Sequence, residues 1–224
     1  MNFKKALLVI VLLFTSGTAF AESFVEFVIV DKVWPDHKWG HVSLRVKDDA
    51  TDMVFDFGRY GKMWGFFDTE GEPILRVWKH ANEQHLKYQK EGQPQIHNVR
   101  FQVSSNDAQA VLAHFEKLTR GLKPFSSTKH LDYYNLQSPT FHAISHNCTT
   151  LSIEAFSSAF PNMKVDSTEF AKGEGLYKWA KIKAVSLDYD SRTKRWGHIW
   201  WPQDLLESLR SQFVANGLAE ETTL

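Results

Sequence analysis

The apolar pattern opens at residues 24–33, FVEFVIVDKV, where β-branched and aromatic side chains crowd a short run; this predicts a strand. The next stretch alternates. In GHVSLRV, 40–46, Val42, Leu44 and Val46 fall on one face and His41, Ser43 and Arg45 on the other. The polar turn DDATD, 48–52, leads into MVFDFG, 53–58, a third strand, and the pair reads as a hairpin. Residues 59–73, with Gly61, Gly65, Gly71 and Pro73, read as a loop. The run 74–92, ILRVWKHANEQHLKYQKEG, is expected to be helical and to stop at Gly92. Val99, Phe101 and Val103 alternate in a strand over 97–103. Ser105 is then placed to cap a helix in which Val111, Phe115 and Leu118 recur at helical spacing before Gly121. Residues 122–140 read as loop.

A further helix is expected from Cys148 to about Phe160, with Leu151, Ala155, Phe156, Ala159 and Phe160 as its apolar stripe and Pro161 as its stop. The span 162–195 is mixed and polar, with a short strand expected near 182–187. Asp204 is placed to cap a last helix that ends before Gly217. A hairpin with helices gathered elsewhere makes the fold class α+β.

Composition narrows the function. The 26 basic and 26 acidic residues cancel, which argues against a nucleic-acid binder that relies on bulk positive charge. The 17 Phe and 8 Trp allow a core without disulfide staples. The N-terminus has the form of a secretory signal: Lys4 and Lys5, an apolar run Ala6–Phe14, and the small-x-small site Ala19-Phe20-Ala21. Cleavage is expected after Ala21, which would release the chain into the periplasm. No later segment approaches ~18 uninterrupted apolar residues, so no transmembrane segment is expected after cleavage. The expected organisation is a signal peptide at 1–21, a main domain at 22–160, and a C-terminal extension at 161–224 packed on the same domain.

Cys148 is the single cysteine, in a chain expected to enter an oxidising compartment. A buried inert thiol is one reading; a nucleophile is the other. With Asn147 as N-cap, Cys148 occupies the first helical turn, where unpartnered N–H groups stabilise a thiolate and can receive an oxyanion. His41, on the early hairpin, is the candidate base. Asp56 is a lone acid on an otherwise apolar strand, and would orient His41 if the register brings them together. Asn147 or a loop side chain is the candidate second oxyanion donor. The aromatic runs KMWGFF, 62–67, and the stretch around Trp200 and Trp201 are candidates for lining a lipid or glycan groove.

The series GHVSLRV, FDFGRYG, a strand–helix unit and HNCTTLSIEAF resembles a family of exported bacterial papain-like proteins of permuted order, with the histidine strand before the cysteine helix. The resemblance covers roughly residues 24–160. One branch of that family resembles lipoprotein N-acyltransferases, and the wider permuted class resembles lecithin:retinol acyltransferase and NlpC-type cell-wall peptidases. The resemblance implies an antiparallel sheet packed against a cysteine-bearing helix, with Cys148 as nucleophile, His41 as base and Asp56 as third member. It implies a cell-envelope substrate (a lipid, a lipoprotein or a peptidoglycan peptide) and calls for no cofactor or metal. The extension 161–224 has no counterpart in it.

Three alternatives stay open at this level. RWGHI, 195–199, echoes KWGHV, 38–42, and offers His198 as base. His142 and His146, like His37 and His41, have the i, i+4 spacing of paired metal ligands, and Cys148 lies close to the first pair. A non-catalytic envelope protein that keeps the fold for binding is the third.

Overall fold

The structure, a computed structural model, describes residues 23–33, 39–65, 69–79, 82–138, 140–173 and 188–224. The expected signal segment, His37 and the expected strand near 182–187 lie outside these residues.

The elements follow in the order β1 (Phe24–Val30), β2 (His41–Lys47), β3 (Asp52–Gly58), β4 (Met63–Trp64), β5 (Glu70–Gly71), β6 (Ile74–Lys79), α1 (Asn82–Gln89), β7 (Ile96–Gln102), α2 (Ser105–Thr119), β8 (Ser126–Ser127), β9 (Leu131–Asn135), β10 (Phe141–His142), α3 (Cys148–Ala159), β11 (Tyr189–Asp190), β12 (Arg195–Trp196), α4 (Pro202–Leu209) and β13 (Glu220–Thr223). A π-helical segment, Arg210–Val214, continues α4. Eight strands form one antiparallel sheet in the order β13-β7-β1-β2-β3-β6-β9-β8. The fold is mixed α and β, built on a mostly antiparallel sheet. Among the described residues no helix is long and apolar enough to cross a membrane.

The period-2 pattern decides what each face of the sheet meets. Phe27, Ile29, Val42, Leu44, Phe55, Phe57, Leu75, Val77, Val99 and Phe101 share one face, and they join α2, α3 and α4 in a single core. That core also takes in Trp196, Leu205, Phe213 and Ala219. The C-terminal residues are therefore packed into the same core as the first strands. The opposite face carries His41, Ser43, Asp56 and Arg76, and α1 lies across it, with Leu86 packed on Val28, Val30 and Ile96.

The structure differs from the pattern-based expectation in several places, the loop reading of 59–73 among them, since that stretch holds β4 and β5. Residues 74–79 are a strand between β3 and β9, and helix is confined to 82–89. The run Ile74–Trp78 is buried throughout, and a short continuous apolar run is a feature shared by buried strands and buried helices. The stretch read as a loop at 122–140 supplies β8 and β9. The cap of α2 is Ser104, whose hydroxyl accepts from the Asp107 N–H. Asp204 does not cap α4: the N-cap is Trp201 with Pro202 as the first helical residue, and the Asp204 carboxylate instead accepts the Gly173 N–H at 2.6 Å.

Candidate active site

Two strands diverge where the site forms. β1 and β2 are laddered over the whole of His41–Lys47, but β3 is laddered to β2 only from Leu44 to Lys47. From Asp56 to Gly58, β3 stays paired with β6. His41, Val42 and Ser43 are thus joined to β1 alone. At this opening the Val42 N–H helps to lower the Cys148 thiol, and α3 packs against β2.

Asn147 explains why α3 starts where it does. Its Oδ1 accepts from the Thr149 and Thr150 N–H groups at 2.9 and 3.0 Å, and Thr150 Oγ1 accepts from the Asn147 N–H at 2.9 Å. Its Nδ2 donates to the carbonyls of Ala143 and Trp200 at 2.7 and 2.9 Å. Both amide hydrogens are committed to these carbonyls. The Asn147 side chain is therefore a cap and a tie, and it has no donor left for an oxyanion. The expected oxyanion role of that side chain is corrected on this ground. The Cys148 N–H is the first-turn donor that the cap leaves alone.

Gly40 sets the approach to His41. Its φ of +69° favours glycine, and a Cβ there would lie 2.9 Å from the Val30 carbonyl and 2.8 Å from Gln203 Nε2. Trp39 beside it packs edge-on against Trp201 at 6.2 Å. The strand that carries the histidine is thereby seated against α4 as well as β1.

His41 Nε2 donates to Asp56 Oδ1 at 2.6 Å. The Tyr60 hydroxyl donates to the same oxygen at 2.7 Å and lies 3.3 Å from His41 Nε2. Arg76 Nη2 donates to Asp56 Oδ2, and to the Tyr60 oxygen at 2.7 Å. The Arg76 guanidinium lies 3.6 Å over the Tyr60 ring and 4.3 Å over the Tyr88 ring. Behind this group, His85 Nε2 accepts from the Gln89 amide at 3.2 Å and meets the Ser43 hydroxyl at 3.1 Å. Asp56, Ser43, His85 and Gln89 are all fully buried.

The electrostatics follow from burial set against pairing. Burial pushes the Asp56 carboxyl up, but the Arg76 guanidinium and the His41 imidazole overcome it and hold the carboxyl far below the usual carboxylate range. Burial pulls His41 down, yet the charges of Asp56 and Cys148 and hydrogen bonds to both raise it to about 10. Burial pushes the Cys148 thiol up; the charge of His41, a hydrogen bond from it, the Val42 N–H and the Thr149 hydroxyl bring it below the ordinary thiol value. Each of the pair thus favours the other's charged form. His85 is lowered to about 3, chiefly by burial, and stays neutral. Cys148 is only partly buried.

The structure brings Cys148, His41 and Asp56 together. It places His198 elsewhere: its Nδ1 faces Asp188 Oδ2 at 2.6 Å and its Nε2 faces the Ile144 carbonyl at 2.9 Å, which engages both ring nitrogens. His142 and His146 exchange backbone hydrogen bonds in an isolated bridge, and His142 Nδ1 accepts from the Ile144 and Ser145 N–H groups. Among the described residues no group of three or more His, Cys, Asp or Glu side chains converges as metal ligands would. Of the aromatic candidates, Trp200 and Trp201 are buried in the core, while Trp64 is 43 % exposed. Arg76, Tyr60 and His85 join the site without having been singled out by the sequence pattern. Comparison of the chain with protein-family models, with curated proteins and with solved structures found no match.

Proposed function

We propose that the protein is a cysteine-dependent acyl-transfer enzyme of permuted papain-like arrangement, exported to the periplasm and acting on an ester or amide of the cell envelope. The observation that carries this reading is the placement of His41 between two partners. Its Nε2 is held by Asp56 at 2.6 Å, and the Cys148 thiol is lowered by the imidazole's charge and hydrogen bond.

With Nε2 committed to Asp56, Nδ1 is the ring nitrogen left for the sulfur. The Cys148 thiolate attacks a carbonyl carbon, and the Cys148 N–H receives the developing oxyanion. As the tetrahedral intermediate collapses, the bond to the leaving group breaks and the His41 proton goes with that group. Water or an amine then takes the acyl group from sulfur, giving up its proton to His41. The N-terminal signal pattern supports the location, and the motif resemblance supports the substrate class.

Intact-mass analysis of the mature chain, after exposure to envelope phospholipid, lipoprotein or cell-wall fragments, tests the proposal. A covalent acyl adduct on Cys148 is expected, and it is absent from Cys148→Ser and His41→Ala. The added mass identifies the donor. Full activity of Cys148→Ala overturns the reading.

A further inference from the structure

The carboxylate behind His41 is shared. Asp56 Oδ1 takes both the His41 N–H and the Tyr60 hydroxyl, while Oδ2 takes Arg76. Arg76 is itself nearly fully buried at 3 % exposure, and it is stacked between the Tyr60 and Tyr88 rings. A fully buried carboxylate needs a counter-charge whatever its task, and of the two cationic partners here His41 is the one that gives up its charge during turnover. The charged and titratable groups that face the His41–Asp56 pair come from every side: Cys148 from α3, Arg76 from β6, Tyr60 from the segment after β3, and neutral His85 from α1, 3.9 Å from Asp56 Oδ2.

Charge bookkeeping through one turnover gives Arg76 a task. Before attack, the thiolate and Asp56 balance His41 and Arg76. When the sulfur–carbon bond forms, the thiolate charge passes to the oxyanion. When the leaving-group bond breaks, the oxyanion returns to a carbonyl and the His41 proton departs on the leaving group. His41 is then neutral, and Asp56 is a fully buried anion whose remaining cation is Arg76. A buried carboxylate with no counter-charge would oppose that proton loss.

Resting on the acyl-transfer reading, we infer that Arg76 and Tyr60 are positioning residues that draw charge off Asp56 and so keep the His41 imidazolium acidic enough to protonate a poor leaving group. Arg76 acts through Asp56, and Tyr60 acts through Asp56 and from 3.3 Å on His41 Nε2.

The test compares acetylation of Cys148, followed by intact mass, from p-nitrophenyl acetate and from ethyl acetate. The nitrophenolate departs without a proton; the ethoxide needs one. Arg76→Met and Tyr60→Phe are each expected to lower the ethyl-ester rate several-fold more than the nitrophenyl-ester rate, with a ceiling of about tenfold for a general acid weakened by about one pKa unit. The alkaline limb of the ethyl-ester profile, which reports loss of the His41 proton, moves up in both. Arg76→Lys restores the ratio. Tyr60→Phe keeps the ring and decides the matter if Arg76→Met does not fold. Equal losses on both esters, or no loss on either, in Tyr60→Phe overturns the inference while leaving the acyl-transfer reading intact. A wild-type chain that takes no acetyl group from p-nitrophenyl acetate removes both.

Discussion

Asn147 Nδ2 donates to the Trp200 carbonyl at 2.9 Å, so the cap of the cysteine helix is fastened to a segment fifty-three positions further along the chain. One side chain both starts α3 and joins it to the approach of α4. Asn147→Ala is expected to cost about 2 kcal/mol, roughly 1 for the lost cap and 1 for a buried carbonyl left without its donor. Asn147→Asp keeps an acceptor for the cap but sets a carboxylate against the Ala143 and Trp200 carbonyls, so it recovers little of the loss. Urea midpoints at constant slope measure both. Wild-type midpoints would contradict the double role.

The paired shifts of Cys148 and His41 predict a thiol that ionises and reacts below the ordinary thiol value of ~8.5. The iodoacetamide rate against pH should show it. In His41→Ala the midpoint moves up, because burial is then opposed only by the Val42 N–H and the Thr149 hydroxyl. A midpoint unchanged by that substitution would separate the two side chains.

Asp56→Asn removes the carboxylate that pairs with Arg76 and leaves a buried guanidinium without its counter-charge. The expected destabilisation is about 3–5 kcal/mol. The double variant Asp56→Asn, Arg76→Met should be more stable than the sum of the single effects predicts, since the second change removes the stranded cation. A double-mutant cycle from denaturant unfolding reads the coupling, and simple additivity would count against a direct pair.

The sign of the His41 shift fixes a pH window for stability. Its pKa is raised in the folded state, so the native chain holds the proton more tightly than the unfolded chain does. That contribution is whole below the unfolded histidine value of ~6.5 and is lost as the pH rises toward about 10. The lowered Cys148 thiol contributes with the opposite sign up to the unfolded thiol value of ~8.5, so the net loss falls between there and about 10, and His41→Gln should flatten the slope in that upper part of the window. A slope as steep as the wild type's would assign it to another group.

Phe213, from the π-helical segment after α4, is 6 % exposed and meets the Phe101 ring edge-on at 5.4 Å. Phe213→Ala is expected to cost about 3–5 kcal/mol. It should lower one cooperative transition of the whole chain. A separate early transition, with the rest unaffected, would mean that the C-terminal segment folds on its own.

Much of the site was legible because its signals are local. Asn147 announces a helix start, His41 and Asp56 stand out as polar residues on apolar strands, and β2 and β3 alternate cleanly. Arg76 was hidden by the opposite effect. In ILRVWK it reads as the exposed side of a helix, and only the pairing of β6 with β3 turns it toward Asp56. Tyr60 lies in a stretch with no periodicity at all. β13, EETT, carries no apolar signal, because a strand at a sheet margin is held by its ladder to β7 and not by a buried face. The commitment of the Asn147 amide is hidden from the sequence for a related reason: its donors are spent on Ala143 and Trp200, and the second of these contacts spans the fold.

The two outermost strands of the main sheet bear on how the protein behaves in a crowded compartment. One, β8, is two exposed serines long; the other, β13, carries two glutamates and two threonines. An unpaired strand invites a second chain to add to it, and short or charged margins discourage that addition. The sheet should therefore resist growing into fibrils, even at concentrations where an apolar margin would seed them.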